Sequence, residues 1–298
     1  MISPLSESPG ADVSAAAPNK WRCGSFSLPL DRVRIMGVLN VTPDSFSDGG
    51  RFVQLDAALL HARQMIDDGA DIIDIGGEST RPGATPISPE TEMQRVLPVL
   101  RALQGARVPI SVDTSQPALM RAALEEGACI INDVRGFRTN QAVEAVRDSD
   151  CGLVVMHMQG EPASMQRQPV YDDVIAEVSS WLARRCDELA LAGIARERMV
   201  VDPGFGFGKN HEHNRQLLAS IGKLLSVGQP LLVGVSRKST LGEITGKPAE
   251  QRLSASLAAA LIAIEGGARI VRVHDVGATR DAIAVWEAVQ AEQRPAPR

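Results

Sequence analysis

Residues 109–133 read PISVDTSQPALMRAALEEGACIIND, and this stretch decides the fold. Pro109–Val112 is a short apolar run. Pro117–Glu126 has helical spacing and closes on Gly127, and Cys129–Ile131 is apolar again. The first run ends in Asp113 and Thr114, the second in Asn132 and Asp133. Strand, helix and strand follow one another, with polar residues at the same end of both strands. Continuous apolar strands of this kind belong to a parallel sheet covered on both faces.

Working outward, the same unit recurs to a total of eight. The other apolar runs are 34–41, 72–76, 152–156, 199–201, 231–235 and 269–273. Helical patterns lie between them. Leu55, Ala58, Leu59, Ala62, Met65 and Ile66 form one stripe before Gly69. Ser88-Pro89-Glu90 opens the second helix as a cap residue followed by Pro at the first helical position. Later helices are expected at 141–147, 172–192, 214–225, 249–265 and 279–291. Polar residues end every run: Asn40, Glu78–Arg81, His157, Asp202, Ser236–Lys238 and Arg272–His274 join Asp113 and Asn132. A single (β/α)₈ TIM barrel, fold class α/β, accounts for the pattern, because such barrels carry their chemistry at the C-terminal ends of the strands. The barrel is expected over residues 21–298. Residues 1–20, rich in Ser, Pro and Ala, read as a disordered N-terminal extension. An open doubly wound sheet is the alternative, although no GxGxxG opens the first helix and no P-loop appears.

Composition agrees. The chain has 298 residues, and its 44% hydrophobic content suffices for a large core. Aromatics are only 3%, so aliphatic side chains must fill the barrel. The net charge of −5 comes from interspersed charges, which excludes a nucleic-acid surface. No apolar run approaches bilayer length, and the N-terminus lacks the pattern of a signal peptide. Cys23, Cys129, Cys151 and Cys186 lie far apart, with neither a CxxC pair nor a disulfide framework. A reduced cytoplasm is the expected compartment.

Five strings then point to one family. GVLNVTPDSFSDGG (37–50), DIGGESTRPG (74–83), DPGFGFGK (202–209), GVSRKS (234–239) and RVHD (272–275) occur in register with the units. In this order they resemble the signature blocks of the dihydropteroate synthase family, over about residues 34–290, with no departure at a key position. The resemblance implies a homodimeric folate-pathway transferase. It would join p-aminobenzoate to 6-hydroxymethyl-7,8-dihydropterin diphosphate and release diphosphate, with Mg²⁺ present.

The residues suit that chemistry. Asp113, Asn132 and Asp202 end three strands and can converge on a pterin, whose adjacent amine and ring N–H suit a carboxylate. The resemblance adds Lys238 on the pterin carbonyl and Met156 along the slot. Diphosphate needs donors and positive charge. Arg272 and His274, two apart on a strand, face the same way and follow the strand where barrels commonly hold phosphate. The resemblance adds Asn40 and Thr80 to the diphosphate group and makes Asn40 the protein ligand of Mg²⁺. It frames the aminobenzoate with Thr80, Pro82, Phe207, Lys238 and Ser239. Two long Gly- and Pro-rich loops, 42–51 and 79–88, would close over substrate and bring in Asp48 and Arg81. With Asp113 and Lys238, these complete the catalytic set.

His61, His211 and His213 read as surface residues, and glycines 204, 206 and 208 are a weak nucleotide-loop signal. The helix of the seventh unit, 249–265, is apolar nearly all round and suggests a subunit interface. Two other readings stand beside the synthase. One is a pterin-binding methyltransferase domain with a corrinoid partner, which needs no diphosphate site. The other is a non-catalytic pterin-binding barrel.

Overall fold

A computed structural model describes residues 17–42, 51–79, 87–161, 165 and 169–293. A hairpin comes first, formed by β1 (Lys20–Cys23) and β2 (Phe26–Pro29), with Gly24 left-handed in its turn. It takes in Lys20, the last residue of the expected extension. The strands of the barrel are β3 (Arg34–Asn40), β4 (Ile72–Gly76), β5 (Ile110–Asp113), β6 (Ile130–Asp133), β7 (Gly152–Met156), β8 (Met199–Asp202), β9 (Leu232–Val233) and β10 (Ile270–Val273). They are parallel, in the order β8-β7-β6-β5-β4-β3-β10-β9, and a bridge from Val201 to Leu231 joins the two ends. The helices are α1 (Arg51–Asp67), α2 (Pro89–Ala102), α3 (Pro117–Glu125), α4 (Asn140–Arg147), α5 (Val174–Leu191), α6 (His211–Ala219), α7 (Ser239–Thr245), α8 (Leu253–Glu265) and α9 (Val276–Gln293).

Alternation along the strands divides the core in two. Ile35, Ile73, Val112, Ile131, Val155, Val201 and Val271 face the helices and join one large cluster. Met36, Ile72, Ile130, Val154, Val200, Leu232 and Ile270 fill the barrel floor. Two residues further along, the inward position is polar on four of these strands, at Asp74, Asn132, Asp202 and Arg272. The same side of the strand that packs the floor therefore builds the mouth.

Three features depart from the sequence-based expectation. The hairpin closes the floor: Trp21 and Cys23 are fully buried in the floor cluster, and the Trp21 Nε1–H donates to the Arg198 carbonyl (2.9 Å). A Cβ on Gly152 would sit 2.9 Å from Trp21 Nε1, so this strand start needs glycine. The helix expected at 214–225 ends at Ala219 and continues as a 3₁₀ turn, Ile221–Val227. That turn lies against the end of α8, where a Cβ on Gly266 would meet Ile221 at 1.8 Å. The helix expected at 249–265 starts at Leu253, and α7 precedes it. Between them Arg252 donates to the carbonyls of Lys247 and Arg237, passing over Gly242, where a Cβ would collide with its guanidinium.

Candidate active site at the barrel mouth

Four inward side chains form one network. Asp74, fully buried in the middle of β4, accepts from Arg272 Nε (2.6 Å) and from Asn132 Nδ2 (3.0 Å). Arg272 Nη2 also donates to Asp113 Oδ2 (2.8 Å). Asn132 thus has its amide nitrogen turned to Asp74, which leaves its oxygen for a ligand. Asn40 Oδ1 and Asp113 flank the backbone of Gly76, each within 4.0 Å of where a Cβ there would stand. Across the mouth, Asp202 Oδ2 and Arg272 Cβ stand equally close above Gly234. Asp202 Oδ1 accepts from the Gly204 N–H (2.7 Å), which fixes the carboxylate plane.

Met156 lies at the end of β7, in a buried apolar wall with Val134, Met158, Met165 and Phe207. Lys238 Nζ stands over the Phe207 ring, 4.4 Å from its centre. Ser239, at the start of α7, is exposed. His274 is held by Ser236: the His274 N–H donates to Ser236 Oγ (3.3 Å), and that hydroxyl lies 3.0 Å from Nδ1. The tautomer of the imidazole sets the direction of that bond, and Nε2 is left for a ligand. Burial and the neighbouring Arg272 hold the imidazole down to about 4, so it stays neutral at pH 7.

The structure therefore brings together Asn40, Asp113, Asn132, Met156, Asp202, Phe207, Lys238, Arg272 and His274. Asp48, Thr80, Arg81 and Pro82 lie outside the described residues. His157, grouped with the mouth in the sequence, turns away from it and is buried against Lys209, Tyr171 and Trp181. His213 closes a capping box with Asn210 at the start of α6. Sequence reasoning passed over Asp74 and placed Ser236 at the rim without pairing it with His274. The signal for Asp74 was an acid in the middle of an apolar strand, Ile72-Ile73-Asp74-Ile75. No signal marked Ser236 as the partner of His274.

Charge in this pocket is finely divided. Burial, reinforced by Asp74 and opposed by Arg272, pushes the Asp113 carboxyl up to about 7. Burial and the charge of Arg272 bring Lys238 down to about 8. A ligand that needs Asp113 ionised and Lys238 protonated is bound best between those values. The expected kcat/KM for such a ligand is bell-shaped, falling in acid as Asp113 protonates and in alkali as Lys238 deprotonates. A Lys238→Met variant should lose the alkaline limb. A flat profile from pH 6 to 9 would remove both groups from ligand recognition.

Among the described residues no group of three or more His, Cys, Asp or Glu is arranged to hold a metal. Asn40 still offers a hard carboxamide oxygen beside Asp113. That fits a Mg²⁺ ion that takes its remaining ligands from phosphate and water.

Comparison with known proteins bears on this geometry. The family model "pterin binding enzyme" matches residues 36–274, which reaches into every strand of the barrel and takes in the whole network. The chain is 51% identical to the dihydropteroate synthase of Neisseria meningitidis serogroup B over 280 residues, covering 92% of this chain and 98% of that one. The chain belongs to the dihydropteroate synthase family. Solved structures agree. The Xanthomonas albilineans dihydropteroate synthase with 4-aminobenzoic acid superposes with a TM-score of 0.87 at 49% identity, over 92% of this chain and 98% of that one. The Burkholderia cenocepacia dihydropteroate synthase complexed with 7,8-dihydropteroate gives 0.84 at 49% identity, over 93% and 99%. Members of the dihydropteroate synthase family are transferases, so the chain is an enzyme of that class.

Proposed function

We propose that this barrel mouth condenses 6-hydroxymethyl-7,8-dihydropterin diphosphate with p-aminobenzoate, giving 7,8-dihydropteroate and diphosphate. The observation that carries the reading is the opposed charge of the mouth. Two sets of groups meet there side by side: acceptors (Asp113, Asn132, Asp202) and donors (Arg272, which pairs with Asp113, and the His274 imidazole). The first set suits the N–H edge of a pterin, with Lys238 on its carbonyl and Met156 along its face. The second suits a diphosphate leaving group, together with Asn40 and Thr80. Mg²⁺ held by Asn40 supplies charge neutralisation to the diphosphate. Phe207, Lys238, Ser239, Thr80 and Pro82 frame the arylamine, and Asp48 and Arg81 close over it. A diphosphate site distinguishes this reading from a pterin-binding methyltransferase. Release of diphosphate that requires both substrates tests it, and no release would leave a binding barrel only.

The same polarity favours a dissociative path. Cleavage of the C–O bond leaves a cation at the methylene that is delocalised into the pterin, where fixed acceptors stabilise it. No side chain in the network is placed as a covalent nucleophile. A large normal secondary deuterium isotope effect at that methylene is the expected result. A value near unity would mean direct displacement by the amine.

A homodimer through the α8–α9 face completes the proposal. Ala259, Ala260, Ala263 and Ile264 of α8 face the core, so an interface must use the opposite side of the helix. Ile262 is 51% exposed, and on the adjoining α9 Val285 and Val289 are 67% and 51% exposed. Trp286 Nε1 ties the two helices through Glu265 (2.7 Å). Ile262→Glu should yield a folded monomer by light scattering, because it places a charge in apolar contact. A persistent dimer would move the interface elsewhere. No helix among the described residues is long and apolar enough to cross a membrane, and the four cysteines are free thiols. These features fit a cytoplasmic enzyme.

A further inference from the structure

The glycine-rich segment after β8, Asp202–Lys209, lies flat on the loop after β7. A Cβ on Gly204 would fall 1.9 Å from the His157 carbonyl oxygen, and one on Gly208 would fall 2.3 Å from that of Gln159. Both glycines are left-handed, so no other residue allows this approach without strain. Their role is close packing of two loops and not a phosphate cradle.

Between the loops sits an ammonium group. Lys209 is 1% exposed. Its Nζ lies 2.9 Å from His157 Nδ1, 3.0 Å from the Phe207 carbonyl, 3.1 Å from the Gly204 carbonyl and 3.4 Å from the His157 carbonyl. Among the described residues no carboxylate approaches it within salt-bridge distance. Dipoles and the more distant Asp202 charge offset the cost of burying this amine, and burial still brings it down to about 7. The remaining groups of the loop are also engaged. Tyr171 Oη–H donates to the Gly208 carbonyl (2.8 Å), and Asn214 accepts from the Gly206 N–H (2.8 Å) while donating to the Lys209 carbonyl (3.2 Å). What this bracing holds still is the turn that carries Phe207 beneath Lys238.

We propose that Lys209 is a positioning residue: its ammonium clips the Gly204–Phe207 turn to the β7 loop and so sets the Phe207 ring that receives the arylamine. The proposal rests on the reading that Phe207 frames that substrate. It requires a neutral His157 with Nδ1 as acceptor and the proton on Nε2. Burial and the Lys209 charge keep the ring neutral by holding the imidazole down to about 2. Trp181 meets the same ring edge-on at 5.2 Å.

The test compares the parent with Lys209→Met, His157→Phe and Phe207→Leu, by steady-state kinetics and by ¹⁵N spectra of the histidine rings. In the parent, His157 should show an unprotonated Nδ1 and no titration down to pH 5. A protonated Nδ1 would overturn the clip. Lys209→Met should raise KM for p-aminobenzoate about tenfold, the worth of one charged hydrogen bond, with kcat and the pterin KM changed far less. His157→Phe removes one acceptor and keeps a ring; it should shift the same KM in the same direction by a smaller factor. It decides the matter if Lys209→Met fails to fold. Phe207→Leu separates the two readings. If it leaves the arylamine KM unchanged, Phe207 does not frame the arylamine, and the clip cannot act through it. If it raises that KM while the folded Lys209→Met, or otherwise His157→Phe, does not, the positioning role is wrong.

Discussion

Asp202→Asn should weaken pterin binding by roughly 150-fold or more while leaving the fold intact. The carboxylate ends β8 with 6% of its surface exposed. Oδ1 already accepts from Gly204, and Oδ2 faces the mouth beside Arg272. Two adjacent pterin donors would share this carboxylate. A hydrogen bond to a charged group contributes about 1.5–3 kcal/mol net, so losing the pair weakens binding by about 3 kcal/mol or more, roughly 150-fold. The asparagine keeps an oxygen for Gly204 and turns an N–H toward the ligand's donors, which adds repulsion. Folding should not suffer. Burial raises the Asp202 carboxyl above its usual range, so the ionised form costs the native state stability once pH exceeds the unfolded value. Removing that charge at pH 7 removes a cost. Calorimetric titration with the pterin, alongside thermal melts, gives the answer. Affinity within threefold of the parent would take Asp202 out of the site.

Much of this site could be read in the sequence because a barrel converts chain position into space. Each strand ends at the same rim, so Asp113, Asn132, Asp202 and Arg272 had to meet once eight units were recognised. What could not be read was the direction of each side chain near the rim. His157 follows an apolar strand just as Asn132 does, yet it turns to Lys209, and only the close approach permitted by Gly204 and Gly208 decides this. Asp74 was hidden by the opposite cause. It lies too deep in its strand to look like a rim residue, and its function depends on Arg272, 198 positions away. Helix boundaries slipped where long-range packing overrode local pattern, as when the 3₁₀ turn at 221–227 bent to meet Gly266. The hairpin was missed because its burial pattern, alternating in β1, resembles any short exposed ribbon until the barrel floor is placed against it.

That hairpin carries the second large effect. Trp21→Ala should lower stability by about 3–5 kcal/mol, the usual result of deleting a fully buried tryptophan. The ring is the largest side chain of the floor cluster. It packs with Met36, Ile72, Ile130, Val154, Val200, Leu232 and Ile270, residues drawn from seven of the eight barrel strands. Those seven are aliphatic and converge on a space that none of them fills alone, so truncation leaves a cavity that the rigid strands cannot close. The variant also strips the Arg198 carbonyl of its donor. Arg198 is itself 2% exposed and holds the carbonyls of Cys151 (2.7 Å) and Val146 (2.7 Å), so the loss propagates to the start of β7. Trp21→Phe separates the terms: it keeps most of the volume and gives up the indole hydrogen bond, for an expected loss nearer 1–2 kcal/mol. Denaturant melts of both variants, read against the parent, measure the difference. A Trp21→Ala protein within 1 kcal/mol of the parent would show that the hairpin rests on the floor without closing it. Neither variant should alter the pH profile of kcat/KM, because the floor and the mouth lie at opposite ends of the same strands.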